Sequence, residues 1–137
     1  MKRSMLGLGV LLMAGAVAFT GGQSVSAQSG VYTAAQAERG MGPAVNACGS
    51  CHGQELTGGD FAPGIVGEDF IGRWAGESLD VLVTKVTQTM PLDRPGALSA
   101  EEYSDIMAYI LQASGVAAGD TEFDIDAPGN ADATIGE

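Results

Sequence analysis

The sequence predicts an all-α fold, three main helices joined by long loops, on three observations. Apolar side chains recur at helical spacing over residues 79–86 and again over 103–110. Helix-starting side chains head each helical stretch, and no run alternates polar and apolar as a half-buried strand would. The chain is also poor in large side chains: past residue 27 its aromatics are Tyr32, Phe61, Phe70, Trp74, Tyr103, Tyr109 and Phe123. A domain this small is marginal on its own core, so a flat apolar group at its centre would complete it.

Residues 1–27 read as a signal peptide. Lys2 and Arg3 precede an apolar run from Leu6 to Phe19, and Ser26 and Ala27 suit a signal-peptidase cut before Gln28. An uncleaved anchor is the alternative, but the run falls short of the roughly 20 residues that a bilayer span needs. The mature protein is therefore expected in the periplasm, with no stable membrane insertion after cleavage.

The first helix starts at Thr33, with Gln36 three residues on as a capping box, and runs toward Cys48. Gly40, Gly42 and Pro43 predict a kink or restart within it. Residues 53–77, rich in glycine, read as loop with short turns. A second helix begins at Ser78, carries Leu79, Leu82, Val83 and Val86 on one face, and ends before Pro91. A loop over residues 87–98 holds Met90-Pro91 and the turn pair Pro95-Gly96. The third helix opens on a capping box of Ser99 and Glu102, buries Tyr103, Ile106, Met107 and Ile110, and stops at Gly115. Residues 28–115 are thus expected to form the domain. Residues 116–137 form an acidic tail, with Phe123 and Ile125 pinning part of it and the stretch from about Ala127 disordered.

Past residue 27 only Arg39, Arg73, Lys85 and Arg94 are basic, against all 17 acidic residues of the chain. Such a surface excludes nucleic acid and anionic membranes as unaided partners. Its partners are expected to present a positive or neutral face.

The chain's two cysteines and its one histidine all fall in Cys48-Gly49-Ser50-Cys51-His52. Cys-x-x-Cys-His is the attachment signature of haem c. Two thiols three residues apart reach the two vinyl groups of one haem, and the adjacent imidazole reaches the iron from one face. Other uses of the pair are weaker. A disulfide between Cys48 and Cys51 would close a very small loop and contribute little. A thioredoxin-like redox pair belongs beside a βαβ unit, which the pattern lacks. Structural zinc takes four ligands, and Cys and His supply three here.

With haem present, His52 is one axial ligand, and its other ring nitrogen should donate to a carbonyl, for which the segment 62–65 is a candidate. The sixth ligand has to come from elsewhere, since there is no second histidine. Met41 lies on the motif's own helix and Met107 on an apolar helix face, where methionine is usually core filler. Met90, in a loop far enough along the chain to wrap a haem edge, is the expected ligand. A His/Met pair raises the reduction potential and leaves no open site, which suits electron transfer.

These residues resemble the monohaem class I cytochrome c family over roughly residues 31–115. Gly40 falls where that family keeps a small residue between its first and last helices, and Tyr103, Ile106, Tyr109 and Ile110 resemble the opposing face. Ala62-Pro63-Gly64-Ile65-Val66-Gly67 resembles the segment whose proline carbonyl accepts from the haem-ligating histidine, which implies that role for Pro63. Thr89-Met90-Pro91 resembles the distal ligand loop. Trp74 is similar in place to the family tryptophan near a haem propionate, with Arg73 as its charge partner. Ala44 departs from the family, which often has an aromatic four residues before the first cysteine.

Residues 32–40 and 95–111 also resemble small bacterial cytochromes associated with quinoprotein dehydrogenases. The resemblance implies a class I cytochrome c-like fold around one covalent haem c, and a monomer that makes and breaks no substrate bond. It would pass electrons from a dehydrogenase, a quinoprotein among the options, to a terminal oxidase or another cytochrome. Two alternatives stay open: a haem enzyme or gas sensor with an open sixth site, and a fixed cytochrome subunit of a dehydrogenase complex.

Overall fold

The computed structural model describes residues 30–136. The signal-peptide reading of residues 1–27 lies outside them. Four helices, α1 (Ala34–His52), α2 (Gly67–Trp74), α3 (Leu79–Thr89) and α4 (Ala100–Ala113), are followed by a 3-10 turn, Pro128–Ala131. Among the described residues there is no strand, only two isolated bridges, Gly58 with Pro63 and Ser78 with Thr134. The all-α expectation therefore holds, with one helix more than expected.

α1 and α4 cross at the centre of the fold, and Gly40 sets how close they come. A Cβ built on Gly40 would lie 1.8 Å from the backbone oxygen of Asp105, so the two helices touch through backbone there. Arg39, one residue earlier, clamps the same crossing. Its guanidinium donates to both carboxylate oxygens of Asp105, at 3.1 and 3.0 Å, and to Glu122 at 2.8 Å. These carboxylates hold the guanidinium's pKa above its ordinary value, so Arg39 stays charged across the working pH range.

α1 runs unbroken through Pro43, against the expected kink or restart. Gly40 and Ala44, on either side of Pro43, are both buried, so tertiary packing holds the segment helical where local propensity alone would not. Thr33 caps this helix, accepting from the Gln36 N–H at 3.2 Å. The reciprocal half of the expected capping box is absent, because Gln36 turns its amide to the tail. α4 has the complete box: Glu102 N–H donates to Ser99 Oγ at 3.2 Å, and Ser99 N–H to Glu102 Oε2 at 2.9 Å. The Ser99 N–H and the Ser99 hydroxyl, which donates to the same carboxylate oxygen at 3.0 Å, lower the carboxyl pKa of Glu102. Its share of the stability is thus present above the unfolded carboxylate pKa and lost as pH falls through the folded one.

α2 lies inside the stretch read as loop. Eight residues long, with one fully buried side chain, Phe70, it is surrounded by glycines that mask its pattern. Glu68 and Asp69 suit its positive amino end. Ser114, the C-cap of α4, accepts from the Gly67 N–H at 3.1 Å.

The tail departs furthest from expectation. Phe123 and Ile125 are buried as expected, but so are Asn130 and Ile135, beyond the point where disorder was expected to start. Gln36 holds it like a strand partner, donating to the Phe123 carbonyl at 2.8 Å and accepting from the Phe123 N–H at 2.7 Å. The tail then crosses to α3. Leu79 N–H donates to the Ala133 carbonyl at 2.8 Å, and Ile135 N–H to the Glu77 carbonyl at 3.0 Å. Ser78 makes no side-chain cap, so the tail backbone supplies the acceptor at that helix end. Beyond Ala127 a single buried isoleucine, Ile135, leaves no periodic signal, which is why that stretch reads as unstructured.

Gln36→Ala should leave both polar groups of Phe123 buried without partners. We expect a loss of about 3 kcal/mol in urea unfolding, since an orphaned buried group costs roughly 1–3 kcal/mol. An unchanged midpoint would mean that the tail adds no stability through this pair.

Candidate haem-attachment site

The motif sits at the carboxyl end of α1, where one helical turn presents Cys48, Cys51 and His52 together. Cys48 is half-buried and Cys51 exposed, and both are free. Burial pushes the Cys48 thiol pKa up, the opposite of the thiolate that a redox-active pair requires.

After His52 the chain reverses at Gly53, whose φ of 85° lies in the left-handed region. A side chain there would also meet the Gly58 backbone oxygen at 2.6 Å. The loop folds back on itself through Gly58 N–H to the His52 carbonyl at 2.9 Å and Ile65 N–H to the Leu56 carbonyl at 2.8 Å. Leu56 is its peg, fully buried and at φ 57°, a conformation that costs a non-glycine residue about 1 kcal/mol or more.

This fold-back carries Pro63 to the histidine: His52 Nδ1 lies 2.7 Å from the Pro63 carbonyl oxygen. A carbonyl only accepts, so Nδ1 carries the proton and Nε2 keeps its lone pair for a metal. Arg73, from α2, donates to the next carbonyl along, Gly64. Trp74, the last residue of α2, is half-buried against the edge of the core.

The three methionines of the described residues sit in different surroundings. Met107 is fully buried within α4, and Met41 is half-exposed on α1. Met90 is half-covered at the end of α3. Its N–H donates to the Val86 carbonyl at 2.9 Å, and its carbonyl accepts from the Tyr103 hydroxyl at 2.6 Å. The sequence reading placed Tyr103 on the buried face and missed its hydroxyl. A buried tyrosine oxygen seeks a partner, but its partner is a backbone oxygen that no residue pattern reveals.

The residues fit a haem on two counts. The donor set is the right chemistry, with two free thiols, an imidazole whose Nε2 is available, and thioethers elsewhere. Ile65, Ile71, Trp74, Val86, Leu98 and Tyr109 also pack on the core yet stay only partly covered, and such side chains would line an apolar group.

A family model described as cytochrome c oxidase, cbb3-type, subunit III matches residues 35–110. Among solved structures, the sulfane dehydrogenase SoxCD from Paracoccus pantotrophus is similar, with a TM-score of 0.57 and 20% identity, over 96% of this chain and 69% of that one. That likeness shows the fold. No curated protein matches the chain.

Proposed function

Since the chain belongs to the cytochrome c family of cbb3-type oxidase subunit III, and so carries covalent haem c, we propose that it is a periplasmic one-electron carrier with His52 and Met90 as axial ligands. When bound, the haem supplies one-electron cycling between ferric and ferrous iron. Cys48 and Cys51 tether it through thioethers. The Pro63 carbonyl, 2.7 Å from Nδ1, fixes the His52 ring and makes Nε2 a stronger donor; this contact is the observation that carries the reading. Met90 would supply a thioether ligand, which favours the ferrous state. Trp74, half-buried with Arg73 beside it, suits the propionate end.

With His52 and Met90 both holding the iron, no site would be left open for a substrate, which suits a carrier rather than an enzyme. It is exported by its signal peptide, and among the described residues no helix is long and apolar enough to cross a membrane. The donor is a dehydrogenase and the acceptor a terminal oxidase or another cytochrome. The similar solved structure is of a dehydrogenase, which suits a donor of that class.

The docking surface lies around the exposed Cys51. Phe61 and Leu92, 86% and 75% exposed, stand two residues from Pro63 and from Met90. Glu55, Asp60, Glu68 and Asp69 flank Phe61 in sequence, with no basic residue between positions 53 and 72. Electron transfer to a basic redox protein should therefore slow steeply as salt is raised. Phe61→Ser should slow it about tenfold further, as loss of an aromatic anchor does at other interfaces. A rate that ignores both salt and Phe61 would place the docking face elsewhere. Stable co-purification with a dehydrogenase would instead mark a fixed subunit.

A further inference from the structure

Met90 ends α3 and is followed by Pro91, which has no N–H to give. The loop beyond it is held mainly by itself, through Arg94 N–H to the Pro91 carbonyl at 2.9 Å and Ala97 N–H to the Arg94 carbonyl at 3.2 Å. Beneath it lies a cavity of about 220 Å³ between Pro43 and Ala47 of α1, Arg94 and Leu98 of the loop, and Ile106 of α4. Pro91 is buried and Leu98 packs against the core, while residues 92–97 stand exposed, so packing anchors the loop only at its two ends. The Tyr103 hydroxyl reaches across from α4 to the Met90 carbonyl at 2.6 Å. The ring is almost fully buried and cannot swing aside.

We propose that Tyr103 is the positioning residue for Met90, its hydroxyl fixing the Met90 peptide so that the thioether stays on the haem. The inference rests on Met90 being the sixth ligand. Val86 holds the Met90 N–H and Tyr103 its carbonyl, so both peptide groups of the residue are tied. Only the side-chain torsions are left to place the sulfur. Without the hydroxyl, the carbonyl loses its partner and the backbone gains freedom to turn the thioether away.

The test compares wild type, Tyr103→Phe and Ser104→Ala as purified haem proteins. Ser104 is the neighbouring α4 hydroxyl, also buried, and it accepts from the Ile125 N–H of the tail at 3.0 Å. Its loss weakens the fold without touching Met90. Two readouts report the ligand: imidazole affinity of the ferric protein, followed by loss of its sulfur-to-iron band, and the carbon monoxide binding rate of the ferrous protein. Losing one buried hydrogen bond should raise both about five- to tenfold in Tyr103→Phe, with Ser104→Ala unchanged. Equal values in Tyr103→Phe and wild type would overturn the positioning role. Equal increases in both variants would do so too, by showing a general loosening. A wild-type protein with haem but no sulfur-to-iron band would remove the ligation reading, and this inference with it.

Discussion

Gly40→Val should cost about 3 kcal/mol or more in urea unfolding of the haem protein, the upper end of what overpacking a tight contact does. Domains of this size have only roughly 5–15 kcal/mol in all, so the variant should accumulate poorly. The reason is local. The first atom of any side chain at position 40 falls 1.8 Å from the Asp105 backbone oxygen, and a backbone cannot move aside as a side-chain tip can. α4 would have to lift from α1, pulling Asp105 from Arg39 and loosening the turn that presents the haem-binding motif. Gly42, two residues on, is the control: a Cβ there meets nothing within 4 Å. Gly42→Ala should stabilise by about 0.5–1 kcal/mol through helix propensity. If the two substitutions behaved alike, the close crossing of α1 and α4 would be wrong.

That crossing was legible in part. Gly40 stood out by its distance from Cys48, and the face of α4 by its spacing. Thr33, Ser99 and Glu102 mark helix starts chemically, and the structure uses each as a cap. What stayed hidden depends on partners distant in sequence. α2 has too few buried side chains to show a period. Gln36 looks like a capping-box residue by spacing, yet its amide finds a better partner in Phe123, 87 residues away. The tail's crossing to α3 is made by backbone hydrogen bonds, which leave no trace in residue types. Tyr103 was placed on the correct face for its ring, while the partner of its oxygen could not be read.

The site shows the same division. Cys48, Cys51 and His52 are announced by their spacing, because covalent attachment demands it. The Pro63 contact needed the Gly53 reversal and the Leu56 peg, both consequences of folding. Met90 is singled out by elimination among three methionines; in the structure it is half-covered at the end of α3, whereas Met107 is fully buried and Met41 half-exposed.

Met90→Ala is the substitution with the largest expected functional effect. The fold should survive, since Met90 is only half-covered and its backbone bonds remain. The reduction potential should fall by on the order of 0.2 V, within the roughly 0.8 V that axial ligands span. Carbon monoxide should then bind the ferrous protein far faster than it binds wild type.

The most direct measurement is the absorption spectrum of the oxidised haem protein, wild type against Met90→Ala. Wild type should show the sulfur-to-iron charge-transfer band of a methionine-ligated ferric haem, and Met90→Ala should lack it. A band that survives the substitution would assign the sixth position to another methionine. Haem c without the band in wild type would contradict the carrier reading and favour a haem enzyme or gas sensor with an open site.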